Sequence, residues 1–193
     1  FIIAALINKG SKINLNNINI NPSRDGILKA LKKMGSKINI KNQRTLSGEI
    51  VADLEVEYSN LIGCELDAEM AKFMIDEYPI LSIAAAFAKG TSIFRGLKEL
   101  KVKESDRLEL IRLNLVNCGC DCQVINDDLI IRPAEKYIPK NNIIRTDFDH
   151  RIAMSFAVMG TRVHNLIIED AESINTSFPN FIEKFNNAGG NIL

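Results

Sequence analysis

Six times along this chain, a helical pattern of apolar residues ends at a glycine and is followed at once by a strand pattern. The glycines are Gly10, Gly35, Gly90, Gly119, Gly160 and Gly189. Glycine suits this position because it readily adopts the left-handed backbone conformation that closes many helices. Helices that alternate with strands in this way predict an α/β fold.

The six glycines form three pairs, which indicates an internal repeat. Corresponding glycines are 80 and then 70 residues apart for the first helix of each pair, and 84 and then 70 for the second. Each repeat would hold two helices and about four strands, and the repeats would cover roughly 1–60, 61–136 and 137–193. We predict one domain over residues 1–193 with three-fold pseudosymmetry, in which the helices are buried together and the sheets lie outside. The almost wholly apolar helix predicted at 79–89 supports this arrangement.

The same periodicity gives the approximate bounds of each element. Helices are predicted at residues 1–9, 79–89, 150–159 and 177–188, from Ser23 to Gly35, and from Ser105 to Gly119. Strands are predicted at 11–18, 37–40, 52–58, 91–95, 120–125, 129–132, 161–168 and 191–193. Ser23, Ser105 and Asp149 are the predicted N-caps, because their side-chain oxygens can accept bonds from free helix N–H groups.

The overall charge argues against some classes of function. The chain has 24 basic and 24 acidic residues, so no net field draws it to nucleic acid or to an anionic membrane.

The chain has no apolar run of membrane-spanning length and no signal-peptide pattern, so we expect a cytoplasmic protein. Its first residues, FIIAALI, start inside an apolar segment without a methionine, which is typical of a piece of a longer protein.

The four cysteines are Cys64, Cys118, Cys120 and Cys122. The CGCDC run is spaced more closely than the cysteine pairs of structural zinc sites. Cys120 and Cys122 would also share one face of a strand, an arrangement common in ordinary packing. We therefore predict reduced, structural cysteines and no metal site.

Charged residues gather at three of the predicted helix starts. They are Asp76 and Glu77 in IDEYP, Lys103, Glu104 and Arg107 in KESDR, and Asp147, Asp149, His150 and Arg151 in TDFDHR. The helix dipole disfavours a cation in the first turn unless an anion is bound nearby, so Arg107 and Arg151 indicate a site for an anionic substrate. A carboxylate beside a cation, such as Glu104, could carry a proton to or from that ligand.

A simpler interpretation of the same residues is a set of ordinary capped helices with surface charges. Asp76 or Glu77 could cap the helix that follows them. His150 could be a hydrogen-bonded structural residue or a proton carrier near neutral pH.

Longer motifs favour the substrate site. The stretches DEYPILSIAAAFAKGTSIFRGLKELKVKESDR and DHRIAMSF, with SFPNF near the end, resemble the family of 5-enolpyruvylshikimate-3-phosphate synthases. The resemblance is closest to the class II bacterial, glyphosate-tolerant form. It runs over essentially the whole chain but covers only the C-terminal domain of a two-domain enzyme. It implies an enolpyruvyl transferase-type lobe of three repeated α/β units.

The resemblance also implies an activity. The family transfers the enolpyruvyl group of phosphoenolpyruvate to the 5-hydroxyl of shikimate-3-phosphate and releases phosphate, a step of the shikimate pathway in aromatic amino acid biosynthesis. The reaction proceeds through a tetrahedral intermediate, without a metal or an organic cofactor. By position in the motifs, Asp76 resembles the carboxylate that contacts the substrate hydroxyl. Lys103 resembles the lysine beside the reacting hydroxyl and phosphate, and Glu104 resembles the acid/base that handles the methylene proton.

The remaining motif residues resemble the binding site for phosphoenolpyruvate. Arg107 and Arg151 resemble the pair that holds its carboxylate, a task that suits the planar guanidinium fork. His150 lies beside that pair and is expected to support it. Many class I members have a lysine just before the SFP-like motif, where this chain has Thr176, and the class II form lacks that lysine too.

The resemblance assigns the clamp for shikimate-3-phosphate, and further cations, to an N-terminal lobe. The isolated chain is therefore expected to be inactive. Two alternatives stay open. One is a lobe of the related enzyme that transfers enolpyruvate to UDP-N-acetylglucosamine, and the other is a non-catalytic anion-binding module with the same fold.

Overall fold

A computed structural model describes all 193 residues and contains seven α-helices and nine strands. The helices are α1 (Ile2–Ile7), α2 (Gly26–Lys33), α3 (Ala71–Met74), α4 (Tyr78–Ala86), α5 (Arg107–Asn117), α6 (His150–Met159) and α7 (Phe181–Asn187). The strands are β1 (Lys12–Asn19), β2 (Lys37–Leu46), β3 (Glu49–Glu57), β4 (Glu65–Leu66), β5 (Ser92–Phe94), β6 (Asp121–Ile125), β7 (Asp128–Arg132), β8 (Ile143–Ile144) and β9 (Ile167–Ile168). The predicted α/β class is confirmed.

The strands form three sheets, each built from one part of the sequence. The first has the order β1-β3-β2 and is antiparallel, and the second has the order β4-β5-β7-β6 with only β4 and β5 parallel. The third pairs β8 with β9 in parallel. Each sheet falls inside one of the intervals 1–60, 61–136 and 137–193, whose status as repeats stays a prediction.

The centre of the molecule is α4. All of its residues except Ile80 are buried, and it packs against α1, α5 and α6. Its last three residues are alanines, whose small side chains let neighbouring helices approach closely. After Pro79, the only buried polar residue of α4 is Ser82. Its hydroxyl donates to the carbonyl of Tyr78 at 2.7 Å. The packing brings the N-terminal ends of α4, α5 and α6 together.

Five of the six helix-ending glycines have a positive φ, between 78° for Gly35 and 99° for Gly189. Gly160 was expected to follow the same rule and does not, because its φ is −57°. The chain continues there in a tight turn, in which the N–H groups of Thr161 and Arg162 donate to Val158 and Met159. This turn also replaces most of the strand predicted at 161–168, of which only Ile167–Ile168 forms.

Other predicted bounds were wrong at the ends of elements. The N-cap positions of α2 and α5 are Asp25 and Asp106, not Ser23 and Ser105. The helix predicted at 177–188 begins only at Phe181, and a turn at 177–180 separates it from a 3-10 helix at Ala171–Thr176. No strand forms at 191–193.

The cysteines are free thiols, and three of them lie in the core. Burial raises the pKa of Cys118 to about 12 and that of Cys120 to about 11, so both remain protonated at neutral pH. They pack as small apolar side chains. None of the α-helices combines the length and the hydropathy that a membrane crossing requires.

We expect Gly63→Ala to lower the free energy of unfolding by about 2 kcal/mol, as for overpacked core sites. A Cβ there would lie 2.3 Å from the carbonyl oxygen of Thr91, and the backbone cannot easily move away because Gly63 N–H donates to Lys89 O at 2.8 Å. Urea denaturation measures the effect. The control is Gly10→Ala, whose new Cβ would meet no atom within 4 Å. Only the φ of +86° would be unfavourable there, and we expect it to lower the free energy of unfolding by about 1 kcal/mol. Equal losses in the two variants would contradict this account.

Candidate active site

Residues from three separate stretches of sequence meet at the N-terminal ends of α4, α5 and α6. Asp76 lies in the 3-10 helix Ile75–Glu77 that leads into α4. Lys103 and Glu104 precede α5, whose first residue is Arg107. His150 and Arg151 are the first two residues of α6.

Arg107 is at the centre of this group. Its side chain is 1% exposed, and each of its donor nitrogens meets a carboxylate. Nε donates to Asp149 Oδ2 at 2.7 Å, Nη1 to Asp76 Oδ1 at 2.9 Å, and Nη2 to Glu104 Oε2 at 2.5 Å. A buried guanidinium needs such partners, because an unpaired charge in the interior is strongly destabilising.

Asp149 is the most deeply buried of the three carboxylates, with no exposed surface. Its Oδ1 accepts from the N–H groups of Arg151 at 2.9 Å and Ile152 at 3.3 Å, so the predicted N-cap of α6 is confirmed. Its Oδ2 accepts from Arg107 and also from the hydroxyl of Ser105 at 2.9 Å. Burial alone would raise the pKa of Asp149, but the bond and charge of Arg107 outweigh it, so the pKa is lowered.

Asp76 receives cations from two further sides. Lys103 Nζ lies 3.4 Å from Oδ1, and Arg151 Nη2 lies 4.0 Å from Oδ2. Arg151 Nη1 also donates to the backbone carbonyl of Asp76 at 3.0 Å. Burial raises the pKa of Asp76, but the charges of Arg151, Lys103 and Arg107 lower it by more. Asp76 is therefore a carboxylate at neutral pH.

The structure brings together five of the six predicted site residues by direct contact. Asp76 contacts Lys103, Arg107 and Arg151, and Glu104 contacts Arg107. His150, the sixth, is half-buried at the start of α6 and forms no ion pair or side-chain hydrogen bond. Its supporting role stays a prediction.

The capping role considered for Asp76 and Glu77 was wrong. Glu77 occupies the N-cap position of α4, but its side chain makes no capping hydrogen bond, and the side chain of Asp76 is occupied by ion pairs. Burial raises the pKa of Glu77, and the neighbouring charge of Asp76 raises it further, while Arg151 opposes both. The sequence suggested only a capping role for this carboxyl group.

The turn before α6 presents an aromatic side chain beside the site. Asp147 and Phe148 are consecutive residues with left-handed backbones, at φ of 49° and 60°, and Phe148 is 68% exposed. Arg145 holds the carboxylate of Asp147 at 2.6 and 3.2 Å. The turn closes when Asp149 N–H donates to the carbonyl of the fully buried Thr146 at 3.0 Å.

The arrangement can bind an anion and transfer protons. Lys103 and Arg151 are partly exposed cations beside Asp76, and Glu104 is a carboxylate with 54% of its side chain exposed. Arg107 was predicted to bind a substrate carboxylate, but its donors are occupied by acids. A substrate carboxylate could bind the two terminal nitrogens in place of Asp76 and Glu104.

Comparisons with known proteins show the family to which this chain belongs. Residues 1–185 match the family EPSP synthase (3-phosphoshikimate 1-carboxyvinyltransferase). The chain is 46% identical over 192 residues to 3-phosphoshikimate 1-carboxyvinyltransferase of Paramagnetospirillum magneticum, covering 99% of this chain and 43% of the relative. The corresponding protein of Rhizobium johnstonii is 44% identical over 196 residues, with the same coverage. The chain thus spans less than half the length of these curated relatives.

Solved structures give the same result for the fold. EPSP synthase from Acinetobacter baumannii superimposes with a TM-score of 0.91 at 38% identity, over 97% of this chain and 44% of that one. The enolpyruvyl transferase NikO from Streptomyces tendae superimposes with a TM-score of 0.68 at 15% identity, over 98% of this chain and 41% of that one, a likeness of fold alone.

We expect Glu77→Gln to stabilise the protein at pH 7. Because the pKa of Glu77 is raised above its unfolded value of 4.5, the ionised form disfavours folding once the pH exceeds that value. The variant should melt about 2 °C or more above the wild type at pH 7, and the difference should vanish as the pH falls below about 4. Calorimetry at several pH values measures this. Glu183→Gln, at an exposed position of α7, is the control, and a gain of equal size there would contradict the assignment to burial.

Proposed function

Since this chain belongs to the EPSP synthase family, we propose that it is the C-terminal lobe of an enzyme that transfers the enolpyruvyl group of phosphoenolpyruvate to the 5-hydroxyl of shikimate-3-phosphate and releases phosphate. The observation that carries the proposal is the junction of the KESDR and DHR motifs around Arg107, where acids and cations from three helix starts converge. Such an enzyme acts in the shikimate pathway and would work in the cytoplasm.

The cations of the site suit the charges of phosphoenolpyruvate. Arg107 and Arg151 would hold its carboxylate, because a guanidinium can donate two parallel N–H bonds to one carboxylate. Lys103, a flexible point charge next to Asp76, would lie near the phosphate and the reacting hydroxyl. His150 would support the two arginines from the start of α6.

The acids suit the two proton transfers of the reaction. In the addition step, the 5-hydroxyl gives up its proton to Asp76 as its oxygen bonds to C2 of phosphoenolpyruvate. C3 gains a proton, and a tetrahedral intermediate results. In the elimination step, C3 loses a proton and the C2–O bond to phosphate breaks. Glu104 is the proposed carrier of the C3 proton, because its exposed carboxylate can turn towards a ligand. Asp76 is the proposed partner of the 5-hydroxyl, with Lys103 beside it.

The site would be completed by a second lobe. The chain corresponds to about 43% of its curated relatives, so more than half of such an enzyme lies outside it. We propose that an N-terminal lobe binds shikimate-3-phosphate opposite α4, α5 and α6. Closure of the two lobes would exclude water and fix the two substrates against each other. This chain alone is expected to be inactive.

Phosphate release from phosphoenolpyruvate tests the proposal. The full-length protein should release phosphate with shikimate-3-phosphate, and this chain should do so only when mixed with its N-terminal counterpart. Release with UDP-N-acetylglucosamine instead would identify the related transferase. Well-folded full-length protein that is silent with both acceptors would favour a non-catalytic anion-binding module. Activity of this chain alone would contradict the assignment of the acceptor clamp to the other lobe.

We expect Glu104→Gln in the full-length enzyme to lower kcat by about 10²–10⁴-fold, because the amide keeps the shape of the side chain but cannot carry a proton. Steady-state kinetics with both substrates measures the loss. Glu99→Gln, in the neighbouring 3-10 helix Lys98–Val102 and outside the ion-pair cluster, is the matched control. A Glu104→Gln enzyme with wild-type kcat would remove Glu104 from the proton transfer.

A further inference from the structure

The three carboxylates around Arg107 are not equivalent. Asp149 is fully enclosed by protein, whereas the side chains of Asp76 and Glu104 are 38% and 54% exposed. A partner open to solvent can be exchanged for a ligand at modest cost, because water or the ligand replaces the lost contact. Removing the buried partner would leave an uncompensated charge in the interior.

The three carboxylates also hold different parts of the guanidinium. Asp149 accepts from Nε, on the side of the chain stem, while Asp76 and Glu104 accept from the two terminal nitrogens Nη1 and Nη2. A substrate carboxylate that takes two parallel N–H bonds can use this terminal edge without disturbing Nε. The exposed partners therefore occupy the place that a ligand would take.

Asp149 is also connected to the second arginine of the site. Its Oδ1 accepts from the backbone N–H of Arg151, and its Oδ2 from the hydroxyl of Ser105, two residues before Arg107. One buried carboxylate thus fixes the start of α5 and the start of α6 against each other. The two arginines depend on the same anchor.

We propose that Asp149 is a positioning residue, which holds Arg107 through Nε so that the terminal nitrogens face the substrate, while Asp76 and Glu104 are the partners that the substrate carboxylate displaces. The inference rests on the proposed function, and it assigns different roles to the three acids. Binding of the carboxylate frees Glu104 and Asp76 from Arg107. Those are the two acids assigned to the proton transfers.

Asp149→Asn separates this role from helix capping. Asparagine is as good an N-cap as aspartate, so it can still accept from the N–H groups at the start of α6. It lacks the negative charge, however, and its amide nitrogen or neutral oxygen is a poor partner for the Nε–H of Arg107. The matched control is Asp106→Asn, because Asp106 caps α5 by accepting from Glu109 N–H at 3.0 Å and its side chain makes no hydrogen bond to the Arg107 guanidinium.

The test is steady-state kinetics of the full-length enzyme with each substrate varied in turn. Asp149→Asn should raise the KM for phosphoenolpyruvate about tenfold or more, as expected for a misplaced carboxylate-binding arginine, and change the KM for shikimate-3-phosphate less than about twofold. Asp106→Asn should change neither by more than about twofold. Equal rises for both substrates, or no rise, would overturn the inference. If Asp149→Asn does not fold, Asp149→Glu keeps the charge but moves it, and the same split of KM values is expected.

A double-mutant cycle tests whether Asp149 acts through Arg107. If it does, Asp149→Asn should raise the KM for phosphoenolpyruvate much less in an Arg107→Lys background than in the wild type. Full additivity would show that the effect does not pass through Arg107. A wild-type enzyme without transferase activity would instead refute the proposed function, and the inference with it. An active wild type with an unaffected Asp149→Asn variant would refute the inference alone.

Discussion

The burial of one positive charge determines how this fold is arranged at the candidate site. Arg107 lies almost completely inside the protein, and a guanidinium can do so only where carboxylates neutralise it. The three that do so come from the 3-10 helix before α4, from the segment before α5, and from the N-cap of α6. The pairing therefore holds three helix starts together, and the same contacts form the candidate site. The stability of this part of the fold and the proposed binding of substrate therefore depend on one residue.

Much of the fold could be predicted because its signals are local. The glycines that end helices and the apolar run of α4 depend only on neighbouring residues, and α6 was predicted to the residue from Asp149 as its cap. Predictions were wrong where a local alternative competed. A tight turn after Gly160 took the place of a left-handed cap and a strand, and Asp106 capped α5 in place of Ser105, whose hydroxyl bonds to Asp149 instead.

The composition of the site could be predicted from the sequence, but its pairing could not. The motifs identified the acids and cations at the helix starts, yet the central bond joins residues 42 positions apart, which periodicity cannot relate. From the sequence, Asp149 was therefore expected only as a cap, and Arg107 was expected to be open to a ligand. The raised pKa of Glu77 could not be predicted from the sequence either, because it follows from burial among groups that only the packed helices bring together.

The turn between β8 and α6 limits how this surface can change in evolution. Thr146 and Asp149 are both fully buried, and only the left-handed Asp147 and Phe148 lie between them. Adding or losing one residue there would displace Asp149, which is both the cap of α6 and the buried partner of Arg107. Surface loops ordinarily vary in length among homologues. Length variation is better tolerated at turns such as Ser47-Gly48, which joins β2 to β3 away from these anchors.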